Sequence, residues 1–383
     1  ANLYVSFMGY EDAKVAVNGK NLINIVLKDD YQAIDEVVVQ TFGEVKKKDL
    51  TGSITAVSSK DLQKMTVSSV TRALEGAVAG VQSYSSTGQP GQDASILIRG
   101  IGSINGTTGA LIVVDGVPYS SSLSTINPLD IESVVVSKDA AANALYGSRA
   151  ANGVVYVTTK AGAYNNRASV TVRSQAGIST LADFTLYENM MSGPELKDFL
   201  VKSGIMSPQQ IYDKFTSKGW TADTDWYKYF QQFNNPQFQN DISVEGGGEK
   251  VAYMLGASQF HQRGTAFGNF YDRYTVRSNV QGRPKDWLKM GMNLSFSMEQ
   301  TAGAGFWGNS GSTSNNTYGG LSYVKNPLIP AVDEKGNVPE IMWADGNYNT
   351  RYLIDQQPQQ TDYYNLLGSF NVEIEPFKNF KIA

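Results

Sequence analysis

The sequence has no cysteine and only one histidine, His261, among its 383 residues. The absence of cysteine excludes disulfides, thiolate metal sites and cysteine nucleophiles, and a single histidine excludes a three-histidine zinc site. Charged residues make up only 18% of the chain and the net charge is −4, so there is no basic stripe for nucleic acid. No apolar run reaches the roughly 18 residues that indicate a transmembrane helix.

Patterns that indicate catalysis are also scarce. His261 is not accompanied by the G-x-S-x-G turn of a serine hydrolase. The carboxylates of Asp223 and Asp225, and those of Glu373 and Glu375, lie in polar stretches that indicate solvated surface, with a cation site in a loop as the alternative. The sequence therefore predicts a protein that is not an enzyme and holds no metal or cofactor. A β-rich glycoside hydrolase is a rival interpretation, although no pair of acids is marked for that role.

Glycine and aromatic residues are abundant, with 37 Gly, 21 Tyr and 16 Phe, as is typical of large β structures. Within Trp287–Met298, every second residue from Leu288 onward is apolar and those between are small or polar. This alternation predicts a strand of a membrane barrel whose apolar side faces lipid. A water-soluble β-sandwich with one buried face would give the same pattern. Further strands of this kind are predicted at Val170–Ile178, Phe238–Gly247, Val251–Phe260, Tyr274–Gln281 and Tyr363–Glu373.

The region between residues 68 and 162 has a different pattern, in which short β-rich runs alternate with turns. Apolar residues spaced as on a helix predict an amphipathic helix over Ser68–Val78 that ends at Gly80. A second, alanine-rich helix is predicted over Asp139–Tyr146, and Asp115-Gly116 predicts a hairpin turn. Together these features predict a compact mixed α/β unit. Its predicted strands are Ile96–Arg99, Leu111–Val114, Ser133–Ser137 and Gly153–Thr159.

Four sequence motifs in this region resemble those of a known family: Ile98–Gly100, Val113–Pro118, Asn127–Ser133 and Tyr146–Val154. The amino-acid sequences of these motifs, and their order along the chain, closely resemble the plug domain of SusC/RagA-type TonB-dependent outer-membrane transporters. The resemblance implies a mixed α/β plug inside an antiparallel transmembrane β-barrel of about 22 strands. Only about six strands are predicted after the plug, so we expect the sequence to be the front part of a longer chain.

The resemblance also implies a domain order. Residues 1–34 are expected to be the end of a carboxypeptidase-regulatory-like β-sandwich, and residues 35–47 a TonB box and linker. Residues 48–164 are expected to form the plug, and residues 165–383 the N-terminal part of the transmembrane barrel. In the first of these regions, strands are predicted at Leu3–Phe7, Lys14–Val17 and Asn21–Leu27.

The candidate for coupling to TonB is a short acidic and β-branched segment just before the plug. Such a peptide can add as a strand to the exposed sheet edge of a partner, although one more edge strand of this chain would have the same composition. The resemblance favours the TonB box. The segment comprises Asp35, Glu36, Val37, Val38 and Val39.

Substrate-binding candidates lie in polar and aromatic loops. Neutral side chains in the loop after Gly100 could bind sugar hydroxyls or peptide amides, and a solvent-facing turn is the alternative. Arg99, Glu132 and Arg149 are candidates for ion pairs that link the plug to the barrel wall. The aromatic cluster formed by Trp220, Trp226, Tyr227, Tyr229 and Phe230 could stack on sugars or anchor a long loop. The predicted substrate-binding residues are Ser103, Asn105, Thr107, Thr108, Tyr119, Phe306 and Trp307.

The function that the resemblance implies is TonB-dependent import of an oligosaccharide or oligopeptide across the outer membrane of a Gram-negative bacterium. The expected partners are TonB with ExbB and ExbD, a SusD-like surface lipoprotein, the substrate and outer-membrane lipid. No nucleic acid and no cofactor are expected. The alternative is a secreted or surface β-rich glycan-binding protein without energy coupling.

Overall fold

The structure is a computed structural model, and it describes residues 2–5, 13–16, 37–40, 43–46, 54–59, 69–74, 76, 78, 80–84, 89–100, 108–138, 144–302, 326–333, 335–339, 350–356, 360–377 and 380–382. Two antiparallel hairpins come first: β1 (Asn2–Val5) with β2 (Ala13–Ala16), and β3 (Val37–Gln40) with β4 (Gly43–Lys46). The strands predicted near Leu3 and Lys14 are therefore confirmed. The strand predicted at Asn21–Leu27 lies outside the described residues.

A mixed α/β unit follows, which we call the plug unit and which spans the described residues from Ile54 to Thr159. Its main sheet has the strand order β5-β10-β11-β8-β9, in which β11 and β8 are parallel and the other pairs are antiparallel. A separate hairpin pairs β6 with β7. The strands are β5 (Ile54–Ser58), β6 (Val81–Tyr84), β7 (Ser95–Ile98), β8 (Leu111–Val114), β9 (Val117–Pro118), β10 (Ile131–Ser137) and β11 (Val154–Thr159).

The core of the plug unit lies on both faces of this sheet. Val134 and Val136 of β10 point into one apolar cluster, and Val135 between them points into a second cluster with Tyr156. Because successive residues of a strand face opposite sides, a strand buried on both sides needs an unbroken apolar run. The Val-Val-Val run of β10 meets this requirement, and the four predicted strands of this unit are confirmed.

The two predicted helices of the plug unit differ from the structure. Helix α1 is one turn (Val70–Ala73), and Leu74, Gly76 and Val78 lie in turns or bends, so the prediction over Ser68–Val78 was wrong after the first turn. Gly76 has a φ of 69°, a left-handed conformation that an α-helix does not contain. Of the helix predicted over Asp139–Tyr146, residues 139–143 lie outside the described residues, and the rest begins a 3-10 segment, Ala144–Ala150.

The second large unit is a seven-stranded antiparallel sheet in simple chain order, which we call the wall sheet. All six strands predicted from alternation are confirmed, and a short seventh follows them. Most are longer than the roughly 9–11 residues that a tilted strand needs to cross a bilayer. The strands are β12 (Ser169–Ser179), β13 (Asn235–Gly247), β14 (Val251–Arg263), β15 (Phe270–Lys285), β16 (Leu288–Ala302), β17 (Thr361–Phe377) and β18 (Phe380–Ile382).

The wall sheet exposes its apolar face and covers its polar face with the plug unit. One row across adjacent strands places Val172, Ile242, Val276, Phe296 and Leu366 on the same exposed side. A water-soluble sandwich would bury such a row. The sandwich alternative is therefore wrong, and the arrangement is that of a membrane barrel wall. Buried polar residues on the opposite face include Gln239, Arg273, Thr275, Arg277, Asn279, Ser297 and Glu299.

Connections at one end of the wall sheet are short, whereas those at the other end are long. The excursion between β12 and β13 holds helices α2 (Thr185–Glu188), α3 (Gly193–Lys202), α4 (Pro208–Lys214) and α5 (Trp226–Phe230), and α6 (Thr350–Gln356) precedes β17. No helix among the described residues is long and apolar enough to cross a membrane.

The predicted aromatic cluster lies in the first of these excursions. Trp220 and Trp226 are buried together with Leu328 and Ile329 of the second long excursion, and the Trp226 indole donates to the Asn326 carbonyl at 2.9 Å. Tyr227 is buried in the same helix α5. The loop-anchor interpretation is therefore confirmed for Trp220 and Trp226, because their rings are used in packing the two excursions against each other.

Candidate functional site

The plug unit meets the wall sheet mainly through one segment, Ser122–Asp130, which we call the docking segment. It contains two single-turn 3-10 helices, Leu123–Thr125 and Pro128–Asp130. The Ser122 and Asn127 side chains each accept a hydrogen bond from a backbone N–H of the turn that follows, as Ser and Asn do at helix N-termini. These caps hold the segment in a fixed shape against the wall.

Arg273 of β15 is the central wall residue in this interface. It is fully buried, and its Nη1 donates to the backbone carbonyl oxygens of Ser124 at 2.5 Å and Ile126 at 3.3 Å. Its guanidinium lies 5.3 Å from the centre of the Phe260 ring. Hydrogen bonds from a charged donor are stronger than neutral ones, so Arg273 binds the backbone of the docking segment tightly.

A carboxylate and a phenol complete this contact. Ser124 Oγ donates to Glu299 Oε1 at 3.0 Å, and the Tyr271 hydroxyl hydrogen-bonds the same carboxylate. Glu299 lies directly opposite Arg273 in the strand register. The buried Glu299 carboxylate is therefore satisfied by two hydroxyl groups, one from the plug unit and one from the wall.

Asn127 connects the docking segment to β13. Its Nδ2 donates to Asp241 Oδ1 at 2.6 Å, and Gln239 Nε2 donates to Asn127 Oδ1 at 3.2 Å. The same oxygen accepts the Leu129 N–H at 3.1 Å. One side chain thus caps a turn of the plug unit and binds the wall.

Arg277 of β15 joins three parts of the plug unit. Its Nη1 donates to the Asp130 carbonyl at 3.0 Å, its Nη2 hydrogen-bonds the Thr159 hydroxyl, and the Asp115 carboxylate lies 3.6 Å away. Asp115 also accepts the Thr159 N–H at 2.9 Å. Asp115 and Gly116 form the predicted hairpin turn between β8 and β9, with φ values of 47° and 84°. The turn therefore places a carboxylate beside the wall arginine.

Charges near this contact are partly removed from water. Burial raises the pKa of the Asp130 carboxyl, and the nearby Arg277 guanidinium opposes that rise. Burial lowers the pKa of the Lys160 ammonium, and the Asp130 carboxylate opposes that fall. Both directions have the same cause, since a low-dielectric site disfavours the charged form of any group.

Asp93 supports the docking segment from inside the plug unit. Its carboxylate accepts hydrogen bonds from the Ser122 hydroxyl and the Leu123 N–H, both at 2.6 Å, and from the hydroxyls of Ser69 and Thr71 beside α1. Just before it in the chain, Gly91 lies against the Tyr271 ring, where a Cβ would come within 2.2 Å of a ring carbon. A side chain at this position would collide with the wall.

The residues predicted for substrate binding are only partly described. Tyr119 is buried, and its hydroxyl hydrogen-bonds Thr125 of the docking segment and Asn365 of β17, while burial raises its pKa. Thr108 is half-buried. The substrate-binding role of both stays a prediction. Ser103, Asn105, Thr107, Phe306 and Trp307 lie outside the described residues.

The coupling segment is likewise described in part. Asp35 and Glu36 lie outside the described residues, whereas Val37, Val38 and Val39 belong to β3 and pair with β4. Their backbone is therefore extended. The role of the segment in coupling stays a prediction.

The links between plug and wall that were predicted at Arg99, Glu132 and Arg149 stay a prediction. These three residues are exposed in the part of the protein that the structure describes. Arg273 and Arg277 of the wall make buried contacts with the plug unit that the sequence analysis did not predict, because inward positions of β15 face the plug unit. The sequence contains a signal for these contacts: Arg273 and Arg277 lie at positions of β15 that alternate with its apolar residues, so both arginines are on the polar face of the strand.

A cavity lies between the plug unit and strands β15 to β17. On the plug side it is lined by the β8–β9 hairpin and the docking segment, including Val117 and Tyr119. On the wall side its lining includes Asn293, Ser295 and Ser369. These three side chains are uncharged and carry amide or hydroxyl groups, so this part of the wall offers neutral hydrogen bonds.

Comparison with known proteins agrees with this arrangement. Residues 46–154 match the family model described as TonB-dependent Receptor Plug Domain. The TonB-dependent receptor SusC of Bacteroides thetaiotaomicron is 34% identical over 304 residues, which cover 77% of this chain and 29% of SusC. The chain belongs to the SusC/RagA-type family of TonB-dependent transporters.

Two further similar proteins extend the match. TonB-dependent receptor P26 of Formosa agariphila is 31% identical over 392 aligned residues, covering 99% of this chain and 37% of that protein. The structure of the RagAB peptide importer in its closed-closed state gives a TM-score of 0.75 at 29% identity, covering 87% of this chain and 40% of that one. The chain thus spans about a third of the length of these curated relatives.

Family membership determines the location and the general class of the protein. SusC/RagA-type proteins are transporters of the outer membrane of Gram-negative bacteria, and this chain is an outer-membrane protein. The seven strands of the wall sheet agree with a barrel-type fold that encloses a plug. The total of about 22 strands and the domain limits at residues 34, 47 and 164 stay predictions.

Proposed function

We propose that the whole protein imports an oligopeptide or an oligosaccharide across the outer membrane, using energy delivered by TonB with ExbB and ExbD. The observation that carries this proposal is the burial of Arg273, Arg277 and Glu299 between a plug unit and a wall whose other face is apolar. A polar plug seated in a lipid-facing wall closes a pore and can be released. Release without an energy source would leave the outer membrane open.

The coupling segment supports the TonB-dependent part of the proposal. Strand addition to a partner needs an extended backbone with an unpaired edge. Val37–Val39 is extended, and β3 pairs with β4 along one edge only among the described strands. Asp35–Val39 is therefore proposed as the segment that TonB binds.

The substrate class is proposed from the relatives and from the lining of the cavity. One similar structure is titled a peptide importer, the RagAB complex. The uncharged amide and hydroxyl groups of Asn293, Ser295 and Ser369 suit either a peptide backbone or sugar hydroxyls. A SusD-like lipoprotein is proposed as the partner that delivers the substrate at the surface. The seven predicted substrate-binding residues, including Thr108 and Tyr119, are kept as proposed contacts.

The experiment that tests this function uses the whole protein in its own outer membrane. Uptake of a tryptic peptide digest and of an oligosaccharide mixture is measured separately, together with binding of each to the cell surface. Deletion of Asp35–Val39 is expected to abolish uptake and leave surface binding intact, because the plug unit and the wall are unchanged. Uptake that survives the deletion would contradict the assignment.

A matched pair of substitutions sharpens the test. Proline lacks the backbone N–H that strand addition requires, and adjacent strand residues direct this group to opposite edges. The double variant Val37→Pro/Val38→Pro is therefore expected to lose uptake. The control Val37→Thr/Val38→Thr keeps every N–H and a β-branched side chain, so it is expected to retain uptake. Equal activity of the two variants would argue against strand addition.

A further inference from the structure

The plug unit contacts the two halves of the wall sheet very differently. On β13 and β15, Gln239, Asp241, Tyr271, Arg273 and Arg277 all hydrogen-bond the docking segment or Thr159. Two of these five residues are buried arginines whose charge strengthens the hydrogen bonds that they donate. This half of the wall therefore holds the plug unit firmly.

The half formed by β16 and β17 makes far fewer such contacts. Within the described part of the chain, its hydrogen bonds to the plug unit come from Glu299, which contacts Ser124, and from Asn365, which contacts Tyr119. Nearer the short turns, Leu367 adds only an apolar contact with the plug core. Among the described residues, the charged hydrogen bond between this half of the wall and the docking segment is that of Glu299, near the end of β16 that is farther from the short turns.

The cavity lies against the inner face of β16 and β17, closer to the short turns than Glu299 is. Asn293 pairs with Ser369 across the ladder, and Ser295 pairs with Leu367, so their side chains form a continuous patch on the inner face. The patch is uncharged, whereas the inner face of β13 to β15 carries Asp241, Arg273 and Arg277. Arg277 of β15, with Asp115 and Asp130 of the plug unit, also lines the cavity. Substrate passing neutral groups would exchange weak hydrogen bonds one after another, as conduction requires.

We infer that the substrate passes the plug unit along the inner face of β16 and β17, through an enlargement of the cavity lined by Asn293, Ser295 and Ser369. This inference rests on the proposed import function and adds the route within the barrel. The plug unit stays attached to β13 and β15 through Arg273 and Arg277 while the opposite side separates. The chemistry recognised along the route is that of uncharged amide and hydroxyl groups, which both peptides and oligosaccharides carry.

Two serines provide a matched test. Ser295 and Ser243 lie in the same row across the wall, linked in the register through Arg277 and Gly256, and both are half-buried on the inner face. Ser295 lies on the proposed route and Ser243 on the firmly held half. Because the 383 residues contain no cysteine, Ser295→Cys and Ser243→Cys each introduce one thiol into this region.

The experiment uses the whole protein in cells, with any cysteine elsewhere in it replaced by serine. Labelling of the thiol by a membrane-impermeant maleimide is measured in cells given a tryptic peptide digest, an oligosaccharide mixture or no substrate. Each measurement is repeated in the variant from which Asp35–Val39 has been deleted. Labelling of Ser295→Cys is expected to rise several-fold only during coupled uptake, while that of Ser243→Cys stays unchanged. An equal rise at both positions, or a rise at Ser243→Cys alone, would overturn the inference.

A second variant pair tests passage itself. Ser295→Trp places a large ring on the proposed route and is expected to reduce uptake several-fold while surface binding is retained. Leu294→Trp, one residue away on the lipid-facing side, is expected to leave uptake unchanged. Normal uptake by Ser295→Trp would contradict the route. If the unmodified protein takes up neither mixture, the proposed function itself fails; if uptake is normal and the labelling pattern differs, only the route is wrong.

Discussion

In the plug unit the commonest buried side chain is valine, whereas the buried side chains of the wall sheet include the charged side chains of Arg273, Arg277 and Glu299. Val134 and Val155 of the plug unit are buried as in any water-soluble domain. In the wall sheet, Arg273 is fully buried while Leu294 is 44% exposed. The difference follows from the solvent on each side: the plug unit is surrounded by polar surfaces, and the outer face of the wall is surrounded by lipid.

This comparison shows that the plug unit and the wall sheet do not share one continuous hydrophobic core. The apolar core of the plug unit is built mainly from its own residues, with Leu367 of the wall packed against it. Its hydrogen bonds to the wall run mainly through Ser124, Asn127 and Asp130. Polar contacts can be replaced by water at modest net cost, whereas an apolar interface cannot. The hydrophobic core of the plug unit therefore does not depend on these hydrogen bonds to the wall.

The largest effect is expected from removing the buried wall cation. Arg273→Met removes the donor that the buried carbonyl oxygens of Ser124 and Ile126 share, and each buried polar group left without a partner costs about 1–3 kcal/mol. Denaturant titration of the whole protein in lipid vesicles, followed by hydrogen exchange of the docking segment, measures the loss. The control Arg263→Met changes an exposed arginine at the end of β14 and should cost less than about 0.5 kcal/mol. Similar losses in both variants would contradict the special role of the buried site.

An intermediate effect is expected from placing a charge on the lipid-facing side. Leu294→Arg puts a cation in the middle of the apolar band and should destabilise the folded protein by about 2–4 kcal/mol, because lipid cannot solvate it. Leu288→Arg on the same face lies at the end of β16, where the cost should be about 0–1 kcal/mol. Unfolding in vesicles measures both. If Leu294→Arg were harmless, the exposed face would not be in contact with lipid.

The smallest effect concerns a charge on the plug side. Burial raises the pKa of Asp130, so the docked plug unit binds a proton more readily than the undocked one. Stability of docking therefore rises as the pH falls through the raised pKa toward the ordinary value near 3.8. Asp130→Asn cannot take up this proton and should lack that gain. Hydrogen exchange of the docking segment across the pH range measures the difference, and identical pH profiles would contradict the assignment.

Some features of the fold follow directly from local sequence. The alternation in Trp287–Met298 specifies β16 and its two faces, and the unbroken Val-Val-Val run specifies a central strand of the plug unit. Asp115-Gly116 specifies a tight turn. These predictions succeeded because strand periodicity and turn conformation depend on near neighbours in the chain.

Other features depended on partners distant in sequence. The helix predicted over Ser68–Val78 ends after one turn, and the hydroxyls of Ser69 and Thr71 bind Asp93 more than twenty residues away. The alternate positions of Arg273 and Arg277 on the polar face of β15 are visible in the sequence, but the groups that bury them are not. An arginine is buried where another unit supplies carbonyl and carboxylate oxygens. The carbonyl oxygens belong to Ser124, Ile126 and Asp130, and the carboxylate belongs to Asp115.

The sequence by itself determined the strands, the apolar and polar faces of each strand and the family resemblance of the plug motifs, because each of these depends on adjacent or alternating residues. It left open which face of the wall was buried, since an apolar stripe is the same whether it meets a core or lipid. Only the tertiary structure decided that. It placed the plug unit against the polar face and brought Asn293, Ser295 and Ser369 beside Tyr119, because the position of one unit within another depends on contacts between residues that lie far apart in the chain.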